Sequence, residues 1–480
     1  MPTLPWTETI PRVPVAEFFS TLPPEYSQDL FPEIQTRVRE SNRVVVVLDD
    51  DPTGTQTVHD VDVLTAWSVG LLRDALQEAA TCLYILTNSR SVRVERARAI
   101  NREIAQNVQE AAHALGREFI VVSRSDSTLR GHYPGEILAL GEVLKNNAHL
   151  IVPCFVEGGR FTLDSIHWVR EGEYLVPAAQ TEFAWDKDFG YRNSNLREWV
   201  AEKSAGRWAN DAVGAIRLQE LRGGGPEAVA HSLRSVHGPV VVDAATYRDI
   251  EVLVAGLLRL GVDEQRFLYR TAASFVRVRA GISAHPLLSR AELVPQETRN
   301  GGLIVVGSYI SKTTRQLERL LELGHIEPLE LVVEKILDSA VREREIQRVL
   351  ERAEGIIAGG RDALIYTSRQ LALAESESSL LDVGKQVSRA LVTLVSRLQA
   401  RPSYIIAKGG ITSSDLATQG LEVRRATVLG QVKPGIPVWR LGGESRFAGM
   451  TFIVFPGNVG DDTTLAQLVL ELRGDSRAGL

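Results

Sequence analysis

Cysteine is nearly absent: only Cys82 and Cys154 occur in 480 residues. Two distant thiols build no disulfide framework and match no zinc spacing, so a reducing cytoplasm is the expected setting. No run of about 18 apolar residues occurs, and no membrane-spanning helix is expected. The opening residues, MPTLPWTETIPRVP, lack the charged and apolar regions of a secretory signal. Basic charge is not in excess: 54 Lys+Arg face 60 Asp+Glu, a net −6, with no basic block. A phosphate-backbone-binding surface, and with it a nucleic-acid partner, is not expected. Several fingerprints are missing too. There is no G-x-x-x-x-G-K-[ST], no G-x-G-x-x-G, no G-x-S-x-G and no H-E-x-x-H.

What is present is ordinary globular composition, 44% hydrophobic and 24% charged. Short Val/Ile/Leu runs alternate with longer helical patterns. The runs Arg43–Leu48, Cys82–Leu86, Phe119–Val122, Leu150–Val152, Val240–Val242, Leu303–Val306, Ala363–Tyr366, Tyr404–Ala407, Val438–Leu441 and Phe452–Phe455 read as buried parallel strands. This alternation predicts an α/β protein with two doubly wound domains and mostly parallel sheets. Length alone suggests about three domains. Two stretches break the rhythm. Residues 155–200, rich in aromatics, Gly and Asp, read as an irregular insertion. Residues 281–302, with Pro, polar residues and paired Gly, read as a linker or hinge. The expected domains are therefore 1–280 and 303–480.

Three strand ends in the N-terminal part carry polar clusters. Val44–Leu48 runs into Asp49-Asp-Asp-Pro-Thr-Gly-Thr-Gln-Thr57, and three adjacent carboxylates need solvent, hydrogen bonds or cations. Val121–Val122 runs into Ser123-Arg-Ser-Asp-Ser-Thr-Leu-Arg-Gly-His132, where Arg124 and Arg130 suit a carboxylate or phosphate. Thr87-Asn-Ser-Arg-Ser91 is the third, with Ser91 also placed to cap a helix. Ligands of doubly wound sheets sit beyond such strand ends. In the C-terminal part the turns Gly307-Ser-Tyr-Ile-Ser-Lys-Thr-Thr314, Lys408-Gly-Gly-Ile-Thr-Ser-Ser-Asp415 and Pro456-Gly-Asn-Val-Gly-Asp-Asp-Thr-Thr464 each link a strand to a helix. Glycine there lets backbone approach a phosphate, so the set suggests nucleotide binding.

With Gly159-Arg160, Thr181-Glu-Phe-Ala184 and Tyr269-Arg-Thr-Ala-Ala-Ser274 added, the order of these pieces resembles the four-carbon acid sugar kinase family. The resemblance runs from Val44 to about Leu470. It implies a sugar-acid-binding N-terminal domain, a nucleotide-binding C-terminal domain, and a possible homodimer. It implies ATP-dependent phosphorylation of a tetronate or 3-oxo-tetronate, by in-line transfer in a cleft between the domains. Carried over by position, Asp49, Asn88, Arg90, Arg124, Ser127 and Arg130 would bind the sugar acid. Asp50 or Asp126 would take the hydroxyl proton. Ser308, Gly409, Gly410, Ile411, Thr412, Gly457, Asn458 and Gly460 would hold ATP. Mg²⁺ would accompany the nucleotide, with no residue assigned as its ligand. The chain departs from the family pattern at Pro52, where Leu is common, and at Arg124, where Lys is common.

Two other readings fit fewer pieces. Asp49-x-Asp51-Pro-Thr53 matches the D-x-D-x-[TV] loop of haloacid-dehalogenase-like phosphatases, and Gly460-Asp-Asp462 imitates their late carboxylates. About 410 residues separate these pieces, far more than one such fold spans. A non-catalytic sugar-acid-binding protein would need only one of the two pocket types.

Overall fold

The computed structural model describes residues 10–294, 299–324, 326–368 and 377–474, without the side chains of 377–382. The chain divides into two compact units between Ala284 and His285. Part of the expected linker, residues 295–298, lies outside the described residues.

The first unit contains β1 (Val13–Pro14), β2 (Arg43–Asp49), β3 (Val61–Leu64), β4 (Cys82–Leu86), β5 (Glu118–Arg124) and β6 (Ala148–Val152). It continues with β7 (Arg160–Leu163), β8 (Ile166–Glu171), β9 (Tyr174–Pro177), β10 (Gly214–Ile216), β11 (Gly238–Val242) and β12 (Phe267–Thr271). Eight strands form one parallel sheet in the order β10-β11-β6-β12-β5-β2-β4-β3. Every residue of β2, β4, β6 and β12 is buried, as expected for parallel strands covered on both faces. The covering helix Val94–Leu115 shows how this is done. It buries Ala97, Ile100, Ile104, Val108 and Ala111 at three- and four-residue spacing and stops at Gly116, whose φ is +61°.

Residues 155–200 are more regular than expected. Strands β7, β8 and β9 form an antiparallel meander that β1 extends. Its satellite core packs Phe18, Phe161, Trp168 and Leu175. Two of the aromatics that blurred the sequence period, Phe161 and Trp168, lie in this core. The helix Leu196–Lys203 then packs Trp199 into the main core.

The second unit contains β13 (Leu303–Val306), β14 (Glu327–Leu331), β15 (Ala363–Thr367), β16 (Ile405–Lys408), β17 (Arg425–Lys433), β18 (Ile436–Leu441) and β19 (Thr451–Phe455). Strands β14-β15-β13-β16-β19 run parallel. β18 and β17 continue the sheet as an antiparallel hairpin. Its core joins Ile304, Val306, Ile406, Val438, Ile453 and Phe455 to Leu465 and Leu468 of the helix Thr464–Arg473. Among the described residues, no helix is long and apolar enough to cross a membrane.

Candidate functional sites

Register builds the first site. Parallel pairing sets Asp49 of β2 opposite Arg124 of β5, and Arg124 opposite Thr271 of β12. Three polar side chains thus share one row at the carboxyl end of the sheet. Beyond it the chain turns, and the turn residues close into an ionic cluster. Arg124 Nη1 donates to Asp49 Oδ1 at 2.9 Å and lies 3.7 Å from Asp50 Oδ1. Arg90 reaches Asp51 Oδ2 at 2.8 Å and Asp50 Oδ1 at 3.2 Å. Arg130 Nε donates to Asp126 Oδ2 at 2.7 Å. Ser125 Oγ donates to Asp50 Oδ2 at 2.5 Å. Such alternation of charges is what makes burial of three consecutive aspartates tolerable.

The three aspartates are not equivalent. Burial pushes the Asp49 carboxyl up to about 7, aided by the charges of Asp50 and Asp51 and opposed by Arg124. Burial acts in the same sense on Asp51, but Arg90 and the hydrogen bonds from Thr53 outweigh it and hold that carboxyl low. Asp51 Oδ1 accepts from the Thr53 amide at 2.8 Å and so caps the turn Pro52–Thr55. Gly54 is required in that turn: a Cβ there would lie 2.0 Å from Asp49 Oδ2. Asp50 differs from its neighbours. Its Oδ1 is buried and has no hydrogen-bond partner among the described residues. Asp126 is held well below the usual carboxylate range, because Arg130, Arg90 and hydrogen bonds from Arg130 and Thr128 overcome its burial.

The insertion braces this cluster. His167 Nε2 donates to the Ser127 carbonyl at 2.7 Å, and the Tyr191 hydroxyl donates to the Thr128 carbonyl at 2.8 Å. Asp186 lies 3.6 Å from Arg130 Nη1, and the Phe183 ring centroid lies 5.1 Å from the Arg130 guanidinium carbon. These contacts hold residues 125–130 in a turn that sets Leu129 at φ +70°, a strained value for a bulky side chain. A small cavity of about 10 Å³ opens among Ser125, Asp126, Arg270, Thr271 and Trp199, against a wall of Leu129, Ile151 and Pro153.

The second site lies at the ends of β13, β16 and β19, which are adjacent strands. The Gly409 amide donates to the Phe455 carbonyl at 2.8 Å. Gly409 has φ +118°, which a side chain rarely adopts, and a Cβ would also lie 3.0 Å from Ser308 Cβ. Thr313 Oγ1 ties the first turn to the third through Ser308 Oγ at 3.3 Å and the Gly457 carbonyl at 3.1 Å. Lys312 Nζ donates to the Gly460 carbonyl at 3.2 Å. Lys408 is wholly buried, with Nζ donating to the Pro456 carbonyl at 2.6 Å and lying 3.8 Å from the Phe455 ring centroid. Burial, with Lys312 adding to it, lowers the Lys408 ammonium to about 6.

Both halves match known domain families. A family model described as a sugar-binding N-terminal domain matches residues 45–279, and one described as a nucleotide-binding C-terminal domain matches residues 303–465. The chain belongs to the four-carbon acid sugar kinase family. Its fold also occurs in solved structures. A Haemophilus influenzae protein is similar with TM-score 0.62 and 17% identity, covering 88% of this chain and 98% of its own. A Salmonella typhimurium LT2 protein, provisionally named a tRNA synthase, is similar with TM-score 0.66 and 17% identity, covering 90% and 98%. No curated protein matches the sequence.

Within this kinase family fold, Asp49, Asp50, Arg90, Arg124, Asp126 and Arg130 converge in one cluster. Asn88 and Ser127 stand beside it as turn residues. Asn88 has φ +49°, in the left-handed region that Asn tolerates, and the Ser127 carbonyl is the one His167 holds. Ser91 does not cap the following helix; its hydroxyl donates to the Asn88 carbonyl at 2.7 Å. Ser308, Gly409, Thr412 and Gly457 converge in the second site, whereas Ile411 is 62% exposed and Asn458 is also exposed. The geometry gives the phosphatase reading no support. Asp49 is 2% exposed and already paired, while Asp461 caps Thr463 and Thr464 and Asp462 pairs with Arg315 at 2.9 Å. Sequence reasoning left out Ser125, Glu136, Arg270 and Lys408. All but Glu136 lay inside motifs already noted.

Proposed function

We propose that the chain is an ATP-dependent kinase for a four-carbon acid sugar of the tetronate or 3-oxo-tetronate type. Membership of the family supports the reaction class, and one observation carries the assignment of roles. Asp50 keeps a buried carboxylate oxygen with no hydrogen-bond partner among the described residues, while its other oxygen is fixed by Ser125. A fixed carboxylate whose second oxygen is ion-paired with Arg90 and Arg124 but accepts no hydrogen bond is suited to orient a substrate hydroxyl and accept its proton as the phosphoryl group arrives. Asp126 is poorly suited to that step, because Arg130, Arg90 and Thr128 stabilise its anion and make it a weak base. It serves instead as a positioning residue for Arg130. Asp49 and Arg124 form the base of the cluster, and Arg90 bridges Asp50 to Asp51. The turns carrying Ser308, Gly409, Gly410, Ile411, Thr412, Gly457, Asn458 and Gly460 take the nucleotide.

Mg²⁺ is the expected companion of ATP. Among the described residues, no group of three or more His, Cys, Asp or Glu side chains could hold a metal ion. The carboxylates nearest in sequence to the third turn are already used locally. No protein ligand is therefore assigned, and no step is routed through the ion.

The test is direct. Full-length protein is incubated with Mg-ATP and a panel of tetronates and 3-oxo-tetronates, and ADP is measured by a coupled assay. ADP formed in equal amount to acid consumed is the expected result. Phosphate release from sugar phosphates without nucleotide would sink the kinase reading.

A further inference from the structure

The cavity beside Ser125 has unmet hydrogen-bonding capacity, chiefly of donors. Arg270 Nη1, Thr271 Oγ1 and Trp199 Nε1 are buried donors, and none has a hydrogen-bond partner among the described residues. All three residues line the same space of about 10 Å³, room for one oxygen-sized group. Native proteins seldom leave several buried donors unpaired in one place, so the group that belongs there accepts hydrogen bonds.

Part of the cavity's own acceptor capacity is already engaged. Asp126 accepts from Arg130 at 2.7 Å and from Thr128. Ser125 directs its proton to Asp50. A carboxylate oxygen only accepts and can take all three donors, whereas a sugar hydroxyl placed here would also have to give its proton to Thr271 Oγ1, Ser125 Oγ or Asp126. Charge points the same way. Arg124, Arg130 and Arg90 each hold a carboxylate within 2.9 Å. Arg270 has Glu136 at 3.6 Å without a hydrogen bond, and that carboxylate already accepts from Ser89 at 2.5 Å. Arg270 is 5% exposed, and its burial opposes its charge more than Glu136 supports it.

We infer that Arg270, Thr271 and Trp199 form the slot for the carboxylate of the sugar acid. The inference deepens the kinase reading and rests on it. Arg270 thereby replaces Arg124 and Arg130 as the residue that recognises the acid. Ser125 links recognition to chemistry, because it lines the slot and also fixes Asp50.

The test compares tetronates with the matching tetritols, which carry an alcohol in place of the acid. Dissociation constants are measured by titration calorimetry and ADP formation by the coupled assay, on full-length wild type, Thr271→Val, Trp199→Phe and Arg270→Gln. Thr271→Val keeps side-chain shape and Trp199→Phe keeps an aromatic ring of smaller size, and each removes one donor. Wild type should prefer acid to alcohol by at least about 100-fold. Each conservative variant should cut that preference roughly tenfold, and Arg270→Gln should abolish it. Folded conservative variants that keep the wild-type preference would overturn the slot while leaving the kinase reading intact. Acid binding with this variant pattern but without ADP formation would support the slot and remove the kinase reading. Failure of wild type to bind any acid would remove both.

Discussion

Replacing Gly54 by alanine should unfold the first unit at lower temperature and disable the site together. The new Cβ would stand 2.0 Å from Asp49 Oδ2 and 2.3 Å from Oδ1. No rotation of the methyl relieves that clash, so the Asp49 carboxylate must swing away. Its 2.9 Å bond to Arg124 is then lost. Stranding a buried charge costs about 3–5 kcal/mol. Asp50 lies 3.7 Å from Arg124 and recovers part of this, leaving about 2–4 kcal/mol. For a unit of this size the melting temperature should fall by roughly 5–15 °C. Differential scanning calorimetry measures it, with Gly70→Ala as the control. Gly70 lies inside the helix Val69–Glu78, and a Cβ there meets nothing within 4 Å. Alanine at that position should stabilise by about 0.5–1 kcal/mol through helix propensity alone. If Gly54→Ala melts within a degree of wild type, the claim that Asp49 and Gly54 are packed against each other is wrong.

Three further outcomes follow from the site electrostatics. Asp49 keeps its proton in the folded chain up to about pH 7, while an unfolded aspartate loses it near 3.8. The folded state then binds more protons between those values, so this group lowers stability as pH rises through that window. Chemical denaturation should show Asp49→Asn gaining on wild type between pH 4 and 7, by up to about 4 kcal/mol, and a pH-independent difference would refute the buried neutral acid. Lys408, lowered to about 6, is neutral at pH 7.5 in the free protein, and nearby phosphates would recharge it. Titration calorimetry of ATP in buffers of different ionisation enthalpy should detect uptake of up to about one proton, absent in Lys408→Met; equal uptake in both proteins would clear Lys408 of the role. Asp50→Asn should lower kcat by roughly 10²–10⁴ with ATP affinity kept, whereas Asp126→Asn should mainly raise KM for the acid through a loosened Arg130. The opposite pattern would exchange their roles.

The strands that sequence reveals are those buried on both faces, where nothing interrupts the apolar run. β2, with Val44 to Leu48 all 3% exposed or less, is the clearest case. Three of the missed strands have a clear physical reason. β12 reads Phe-Leu-Tyr-Arg-Thr, and its Arg270 is buried at a site rather than exposed on a face. β17 alternates half-buried and buried residues along nine positions, the pattern of a hairpin with one covered face. β14 carries Glu327, Pro328 and Glu330 because it is an edge strand, where proline and charge are tolerated. The site was legible where the chain runs straight from strand into turn, as at Asp49–Asp51 and Ser123–Arg130. It was illegible where a residue enters from another element, as Glu136 and Trp199 do from helices. No local pattern marks such residues, since their partners lie tens of residues away.

Residues 155–200 show the same limit from the other side. Their aromatics suggested a loosely ordered excursion, yet His167, Phe183, Asp186, Tyr191 and Trp199 all reach back to the carboxyl end of the sheet. His167, Phe183, Asp186 and Tyr191 fix the turn 125–130, and Trp199 lines the cavity beside it. A turn holding Leu129 at φ +70° and an ionised Asp126 between two arginines would relax if it stood alone. The insertion pins the Ser127 and Thr128 carbonyls, while Arg270 gives only Nη2 to the turn, at the Arg130 carbonyl 3.2 Å away, and keeps Nη1 without a hydrogen bond among the described residues. The same division explains why net charge is a poor guide here. The chain sum of −6 is spread over 480 residues, whereas anion binding depends on which arginine at the sheet end is least tightly held by a carboxylate of its own. By that measure Arg270, the one whose nearest carboxylate stands 3.6 Å away, outranks the arginines that the strand-end motifs make conspicuous.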